Sequence, residues 1–175
     1  TYSHEPGSTF GLGTTTVTAY VTDAAMNMDS VKFDVVVADA TDPVINGMPS
    51  DITISNDLDA CNAVYNWTAP TASDNCELDT LYADHDSGDT FPLGATVVTY
   101  TALDETGNDS LATFTITVED NQAPTIASLP DTTLSSELSS CSAVYTWLNP
   151  ATSDNCPGET ISSSHPSGSA FPVGS

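Results

Sequence analysis

Basic residues are almost absent from this sequence. Its 175 residues include 24 aspartates and glutamates but only one Lys or Arg, Lys32, and the formal net charge is −23. Because proteins hold nucleic-acid phosphates with Lys and Arg, this balance excludes a nucleic-acid partner. The acidic side chains cannot be paired within the chain. We therefore expect counterions or bound cations to relieve their mutual repulsion.

Long apolar runs are also missing, and aromatic residues are few. Aromatic residues make up 7% of the chain and hydrophobic residues 39%, so any core is small. No apolar run approaches the roughly 20 residues that a membrane-spanning helix needs, and we expect no membrane span. A secretory signal peptide is not recognisable at the N-terminus, so we expect that residue 1 does not start the gene product.

Four cysteines are present, at positions 61, 76, 141 and 156. They lie 15 residues apart within each successive pair, without the CxxC spacing or the accompanying histidines that are typical of zinc sites. This spacing favours disulfide bonds. Because disulfides persist in oxidising surroundings, we expect the protein to be secreted or displayed at the cell surface.

The sequence repeats itself with a period of about 80 residues. "CNAVYNWTAPTASDNC" at 61–76 matches "CSAVYTWLNPATSDNC" at 141–156, and each of the three histidines lies in a related loop, at 3–13, 84–94 and 164–174. The repeat predicts three regions. They are the C-terminal part of one repeat (1–40), a complete repeat (41–121) and the N-terminal part of a further repeat (122–175).

Each repeat is predicted to consist of short β-strands. Apolar and polar residues alternate in runs dominated by Val, Thr, Ile and Tyr, and Pro, Gly, Asp, Asn and Ser separate these runs. The predicted strands are 14–22, 30–37, 51–55, 63–67, 95–102 and 111–118. Several short strands per repeat indicate an all-β fold made of tandem antiparallel β-sandwiches.

Several motifs of the complete repeat resemble the hyalin repeat (HYR) family. They are "D-x-x-x-P-x-I" at 39–45, "P-S-D-I-T-I-S" at 49–55, "H-x-x-G-x-x-F-P-x-G" at 85–94 and "V-T-Y-T-A-x-D-x-x-G-N" at 98–108. The resemblance covers the whole chain. It implies tandem Ig-like β-sandwich repeats in a secreted or surface protein linked to adhesion and matrix, without catalytic residues.

The chain departs from the family at one cysteine pair. HYR repeats commonly carry two further cysteines, whose places are taken here by Met48 and Ala112. The remaining pair, Cys61 and Cys76, is expected to form a bridge within the repeat. Such a bridge closes a 15-residue loop and would contribute on the order of 3 kcal/mol in the chain-entropy model. Cys141 and Cys156 occupy the same positions in the next repeat.

The acidic residues predict a cation site where two repeats meet. An antiparallel hairpin of 95–102 and 110–118 would place its loop, 103–109, beside the linker 38–43. Carboxylate and amide oxygens suit calcium, which takes six to eight such ligands, and no organic cofactor is expected. The predicted ligands are Asp39, Asp42, Asp104, Glu105, Asn108 and Asp109 at this joint, Asp120 and Asn121 in the following linker, and Asp23 and Asn27 in the equivalent loop.

Two further aspartates, Asp74 and Asp154, are weaker ligand predictions. They would contribute only if the "SDN" loop lies at the same end of the repeat, and a Cys61–Cys76 bridge would pull that loop away. The alternative is that all these Asp and Asn side chains simply form turns.

Two N-glycosylation sequons occur, at Asn66 and Asn108. Asn66 neighbours a predicted core residue, Trp67, but in a strand it would point to the opposite face. The second sequon has Asp in its middle position, which disfavours glycosylation, and Asn108 is also a predicted cation ligand. Glycans are thus candidate partners, either attached to the chain or bound by it.

Together these features predict a non-catalytic structural component of an extracellular fibre or surface stalk. Its partners would be copies of itself, arranged end to end as one long polypeptide or as separate chains that share strands head to tail. The alternative is an adhesin or a module that binds a glycan or protein. In that case the repeated loop with His85 and Phe91 is the predicted binding site.

Overall fold

The computed structural model describes residues 1–174, and every regular element in this range is a β-strand. The first half of the chain contains β1 (Gly13–Thr22), β2 (Met28–Val37), β3 (Val44–Asn46), β4 (Ile52–Ser55), β5 (Asn62–Val64), β6 (Thr71–Ser73) and β7 (Leu78–Ala83). The second half contains β8 (Thr90–Pro92), β9 (Gly94–Asp104), β10 (Asp109–Glu119), β11 (Thr125–Ile126), β12 (Ser142–Val144), β13 (Thr152–Ser153) and β14 (Ala170–Pro172). The predicted all-β fold is confirmed.

The largest sheet has four strands in the order β4-β10-β9-β7. β4 runs parallel to β10, with Ile52 opposite Ile116, and β7 runs antiparallel to β9, with Ala83 opposite Tyr100. The other sheets have two strands each and pair β1 with β2, β3 with β6, β5 with β8, β11 with β13 and β12 with β14. Because the β4–β10 pair joins the two ends of the complete repeat, it depends on tertiary structure.

Alternation along β9 and β10 creates the main core. Successive side chains of a strand point to opposite faces. From Val98 to Asp104 in β9 and from Phe114 to Val118 in β10, every second residue is buried. The buried apolar side chains of these strands are Val98, Tyr100, Ala102, Phe114, Ile116 and Val118. Phe91 of β8 and Ala63 of β5 are also buried. The core is therefore built mainly of β-branched and aromatic residues.

The chain forms two compact units. One contains Thr1–Pro49, Thr68–Asp86 and Val98–Phe114, and the other contains Ser50–Trp67, Ser87–Val97 and Thr115–Ser175. Each unit is assembled from separate stretches of the chain, so its contacts are mostly distant in sequence. Within residues 1–174, no helix is long and apolar enough to span a membrane.

Each of the six predicted strands overlaps an observed strand, although 63–67 is strand only at its start. The short strands β3, β6 and β8 and the six-residue β7 have no counterpart among the predictions. β7 lacks a clear two-residue alternation, since Thr80 and Leu81 are adjacent and both half-buried. The bulge between Leu78 and Thr80 in its pairing with β9 explains this interruption.

The sheets near the two ends of the chain have two strands each, whereas the largest sheet, in the middle of the chain, has four. Within residues 1–174, the strands β1 and β2 pair with each other and with no further strand, apart from an isolated bridge between Tyr2 and Ala19. Residues 132–135 and 158–163 occupy the repeat positions of β4 and β7, yet neither segment is a strand. Residues 122–174 contain only strands of two or three residues.

Candidate functional site

A disulfide bond joins Cys61 to Cys156, across 95 residues of sequence. The predicted Cys61–Cys76 bridge is therefore wrong, and Cys76 and Cys141 are free thiols. The reason lies in the tertiary structure. Cys61 lies beside Cys156, with the two Cα atoms 4.9 Å apart, whereas Cys76 lies beside Asp39 and Asp74. A bond across so long a loop contributes on the order of 4–5 kcal/mol in the chain-entropy model.

Polar side chains surround the Cys61–Cys156 bond. Asn56 is buried, and its Nδ2 donates to Ala60 O at 2.9 Å and to Asp120 Oδ1 at 2.9 Å. Asn155 Nδ2 donates to the same two oxygens, at 2.9 Å and 3.4 Å. The two amides thus tie the Cys61 turn to the linker that carries Asp120, and we call this cluster the closed joint.

Gln122 adds a second clamp to the closed joint. Its Nε2 donates to Asp57 O at 2.9 Å, and its Oε1 accepts from Asp59 N at 3.1 Å. Asp59 adopts a positive φ of 60°, which the turn between Asp57 and Asn62 requires. No local sequence pattern distinguishes Asn56, Gln122 or Asn155, because amides in linkers are common turn residues.

A second cluster forms around the free Cys76, and we call it the open joint. Asp39, Asp74 and Cys76 can each offer one ligand atom, and these atoms lie within 4.8 Å of one another. Asn75 Nδ2 donates to Asp39 Oδ1 at 3.4 Å and contacts Cys76 Sγ at 3.2 Å. Within residues 1–174, Asp39 Oδ2 and Asp74 Oδ1 are buried and receive no N–H or O–H donor.

The thiol and carboxylates of the open joint perturb one another. Hydrogen bonding to Asp39 raises the pKa of the Cys76 thiol, and burial and neighbouring carboxylates raise it further. The same thiol lowers the pKa of the Asp39 carboxyl, with help from the Thr41 N–H. Cys76 is therefore mainly a protonated thiol near neutral pH, while Asp39 is ionised.

The loop after β9 is closed by its own aspartate. Asp104 is only 3% exposed, and its Oδ1 accepts from Thr106 N at 2.9 Å and Asn108 N at 2.8 Å. Its Oδ2 accepts from Asn108 Nδ2 at 2.6 Å. Burial would raise the pKa of Asp104, but the donors on Asn108 and Thr106 outweigh it and lower the pKa. The loop itself thus engages both carboxylate oxygens.

The loop after β1 repeats this arrangement at the surface. Asp23 Oδ1 accepts from Ala25 N and Asn27 N, and its Oδ2 accepts from Asn27 Nδ2 at 2.8 Å. The Asn27 side chain is the main cause of the lowered pKa of Asp23. Both loops therefore have the hydrogen bonding of self-contained turns, as the turn hypothesis describes.

The structure brings together some of the predicted cation ligands. Asn108 Nδ2 reaches Asp39 O at 3.4 Å, so the loop after β9 does lie against the linker that precedes β3. Asp74, the weaker prediction, offers a carboxylate oxygen within 4.8 Å of the ligand atoms of Asp39 and Cys76, and no Cys61–Cys76 bridge pulls its loop away. Asp120 joins the closed joint, and Asn121 Nδ2 donates to Ser55 Oγ at 2.9 Å. Asp42, Glu105 and Asp109 are exposed, Asp154 is half-buried, and no cluster with metal-ligand spacing within residues 1–174 includes them.

The two sequons differ in their surroundings. Asn66 is exposed, two residues beyond the end of β5. Asn108 is half-buried, and its Nδ2, the atom to which a glycan would be attached, donates to Asp104, Thr106 and Asp39. Glycosylation of Asn108 would break the loop hydrogen bonds, so Asn66 is the better acceptor of the two.

The repeated histidine loop packs inward rather than presenting a binding face. Phe91 is 0% exposed, and its ring centroid lies 6.1 Å from that of Trp67. His85 Nδ1 lies 3.0 Å from Asp84 Oδ1. Because Phe91 belongs to the core, it cannot act as the exposed aromatic platform that the adhesin alternative requires.

This chain is similar to a known domain family and to two hyalins. A family model of the HYR domain matches residues 1–37 and 38–118. Hyalin of Lytechinus variegatus is 37% identical over 177 residues, and hyalin of Strongylocentrotus purpuratus is 35% identical over 181 residues. Both matches cover 98% of this chain, but only 33% and 15% of the respective relatives.

A third relative is similar over a shorter stretch. The "Sushi, von Willebrand factor type A, EGF and pentraxin domain-containing protein 1" of Rattus norvegicus is 34% identical over 105 residues, which are 59% of this chain and 3% of that protein. The chain thus spans a third or less of the relatives that it matches.

Proposed function

Because this chain belongs to the HYR domain family, we propose that it is a non-catalytic structural component of an extracellular fibre or surface stalk. In this proposal the repeats lie end to end, and the incomplete regions at 1–40 and 122–175 are completed by the complementary regions of neighbouring copies. The family relationship supports an extracellular module of the adhesion type. The arrangement of strands supports the head-to-tail completion.

One observation carries the proposal. Phe33 and Val21 of the β1–β2 hairpin are 51% and 65% exposed, whereas Phe114 and Ala102, at the same repeat positions in β9–β10, are 2% and 0% exposed. The hairpin therefore presents an apolar face that the complete repeat buries. Monomeric proteins rarely leave a contiguous apolar face uncovered.

The C-terminal region offers a matching gap. Phe171 and Ala143 are half-buried, while Phe91 and Ala63, at the same positions in the complete repeat, are fully buried. A cavity of about 640 Å³ opens beside them, lined by Pro130, Leu134, Tyr145, Phe171, Val173 and others. Strands equivalent to β9 and β10 are what residues 122–174 lack, and β1–β2 of a second copy has that register.

A substitution on each face of β2 tests this completion. Phe33→Asp places a charge on the proposed buried face, and Val36→Asp places the same charge on the opposite face of the same strand. We expect the wild-type chain and Val36→Asp to form species that lengthen with concentration in sedimentation velocity, and Phe33→Asp to stay monomeric. If the wild-type chain remains monomeric at millimolar concentration, head-to-tail completion is wrong.

Calcium at the joints is a second part of the proposal. Asp39 and Asp74 fit a cation best, because each keeps a carboxylate oxygen without an N–H or O–H donor. They supply two oxygens, so water must complete the six to eight ligands of calcium, and the Cys76 thiol is too soft to contribute well. We therefore expect weak binding, with a dissociation constant on the order of 10⁻⁴–10⁻³ M.

Electron microscopy with and without EDTA tests the role of the cation. If calcium stiffens the joints, fibres should become flexible or disassemble on chelation and recover when calcium is restored. The Asp39→Asn and Asp74→Asn variants should abolish this response, while Asp42→Asn, an exposed neighbour in the same linker, should keep it. Fibres that are indifferent to EDTA would remove the calcium claim and leave the repeat array standing.

A further inference from the structure

The bonded and free cysteines occupy the same two repeat positions. Cys61 and Cys141 begin the same motif, and Cys76 and Cys156 end it, about 80 residues apart in each case. The bond that forms joins the first position of one repeat to the second position of the next repeat. Cys141 and Cys76 are therefore the two unpaired halves of the same kind of bond.

The surface around Cys76 has the same hydrogen bonding as the surface around Cys156. Asn75 Nδ2 reaches Asp39 Oδ1 at 3.4 Å, and Asn155 Nδ2 reaches Asp120 Oδ1 at the same distance. The contacts of these two amides with the neighbouring sulfurs, at 3.2 Å and 3.3 Å, also correspond. The open joint is thus built like the closed joint before a cysteine turn has docked onto it.

The turn around Cys141 likewise matches the turn around Cys61. Asp57 N donates to Asn62 O at 2.8 Å and Ala60 N donates to Asp57 O at 3.1 Å. In the later repeat Glu137 N donates to Ser142 O at 3.0 Å and Ser140 N donates to Glu137 O at 3.2 Å. The cysteine turn therefore forms without its partner, and Cys141 is exposed at its end.

The unsatisfied carboxylate oxygens indicate what the open joint is missing. At the closed joint the buried Asn56 donates to Asp120, and it comes from the segment that precedes the bonded cysteine. At the open joint Asp39 Oδ2 and Asp74 Oδ1 are buried without an N–H or O–H donor within residues 1–174. In the turn around Cys141 the residue at the position of Asn56 is the shorter Ser136, so these two oxygens stay open to the cation proposed above when that turn docks.

We propose that Cys141 of one chain forms a disulfide bond with Cys76 of a second copy, which links the copies covalently head to tail. This inference rests on the head-to-tail array proposed above and adds the covalent joint to it. If β1–β2 of the second copy completes residues 122–174 of the first, the next complete repeat belongs to the second copy. Cys76 is then the cysteine that stands to Cys141 as Cys156 stands to Cys61.

The bond requires a two-electron oxidant, for which a small extracellular disulfide suffices. The Cys141 thiolate attacks one sulfur of the small disulfide, forms a mixed disulfide and releases one small thiol. The Cys76 thiolate of the second copy then attacks the Cys141 sulfur and releases the second small thiol. Two protein thiols are oxidised to one protein disulfide, and one small disulfide is reduced to two thiols.

Two sequence differences separate this joint from the closed one. Ser136 stands at the position of Asn56, and Thr41 stands at the position of Gln122. Both replacements are shorter, so the side-chain clamp seen at the closed joint is reduced at the joint between copies. The covalent bond therefore has a larger share in holding that joint together.

Complementary cysteine variants test the proposal. Cys76→Ser keeps only Cys141, and Cys141→Ser keeps only Cys76, in addition to the internal bond. In a glutathione redox buffer we expect a ladder of linked species from the wild-type chain on a non-reducing gel and only monomer from each variant alone. An equimolar mixture of the two variants should give dimers and nothing larger, and peptide mapping should recover a peptide that links 76 to 141.

An off-register variant is the matched control. Cys141→Ser combined with Ser139→Cys moves the thiol two residues along the same turn. This off-register variant also carries Cys76→Ser and is mixed with the Cys141→Ser variant. The mixture should yield at least about tenfold less linked dimer than the mixture of Cys76→Ser and Cys141→Ser. Equal linking would show that any exposed thiol suffices, and linked dimers from Cys76→Ser alone would show that Cys141 pairs with itself. Either result overturns the proposal.

Sedimentation of the Cys76→Ser, Cys141→Ser double variant, which keeps the internal Cys61–Cys156 bond, separates this proposal from the array on which it rests. If the double variant associates, but the mixed single variants do not link when oxidised, the disulfide is refuted and the array is left intact. Chains that neither associate nor link would refute both.

Discussion

The hairpins β1–β2 and β9–β10 have the same register in the repeat but different surroundings. Both are long antiparallel strands closed by an aspartate-centred loop. In the complete repeat, β4 and β7 flank β9–β10, and its apolar face is buried. In the part of the chain that the structure describes, no other strand flanks β1–β2, and most of its large apolar side chains are exposed.

Formation of a hairpin and burial of its apolar face have different causes. Alternation and strand propensity are sufficient to form the hairpin in both places. Burial, which supplies most of the stabilising free energy, requires the neighbouring strands. A two-stranded hairpin is at best marginally stable alone, so β1–β2 has the most to gain from a partner.

Truncation of the matching phenylalanines, Phe114 and Phe33, should give the largest difference in unfolding free energy between the two hairpins. Phe114→Ala leaves a cavity in the core and should cost about 3–5 kcal/mol of unfolding free energy. Phe33→Ala removes a half-exposed side chain and should change the stability of the isolated chain by less than about 0.5 kcal/mol. Chemical denaturation measures both. Equal losses would mean that β1–β2 is already covered in the isolated chain.

The two loop aspartates should differ in their response to acid. A carboxylate whose pKa is lowered on folding stabilises the protein above its unfolded pKa, which is near 3.8 for Asp104, and this contribution is lost as the pH falls through the folded pKa. We expect Asp104→Asn to flatten the loss of stability between about pH 4 and about pH 2.

Thermal melts across this range measure the effect. Asp23→Asn is the control, because Asp23 also has a lowered pKa but sits in the exposed loop, where it contributes less to global stability. If the two variants give the same acid profile as the wild-type chain, neither carboxylate is linked to unfolding.

The two loops also differ in the residue that occupies one position with positive φ. We expect substitutions at this position to have the smallest effect on stability. Gly107 has a φ of 94°, and the matching residue in the other loop is Met26 with a φ of 68°. A side chain is strained in this region, so Gly107→Ala should cost about 1–2 kcal/mol. Met26→Gly should relieve strain and raise the stability of β1–β2 by at most about 1 kcal/mol, measured by hydrogen exchange. Faster exchange in the Met26→Gly variant would contradict this expectation.

Sequence reasoning located part of the joints. Asp39, Asp104 and Asn108 were predicted to lie together, and the contact between Asn108 and Asp39 follows from the direction of an antiparallel hairpin. No local sequence pattern marks the amides of Asn56, Gln122 and Asn155, because each has a partner that lies 64, 65 and 95 residues away, respectively.

The disulfide pairing shows the same limit. Two cysteines 15 residues apart suggest a short bridge, and local spacing cannot distinguish this bridge from one that reaches the next repeat. Pairing is decided by the strands that carry the cysteines, since a disulfide needs both Cα atoms within a few ångströms. In the fold, Cys61 and Cys156 have Cα atoms 4.9 Å apart.

The sequence by itself determined the all-β class, the repeat period, the long strands and their closing loops, because alternation, turn residues and self-similarity are local properties of the chain. Tertiary structure alone decided the parallel β4–β10 pair, the Cys61–Cys156 bond and the burial of β9–β10 but not β1–β2. Each of these depends on segments distant in sequence, and their free energy is gained only when those segments meet.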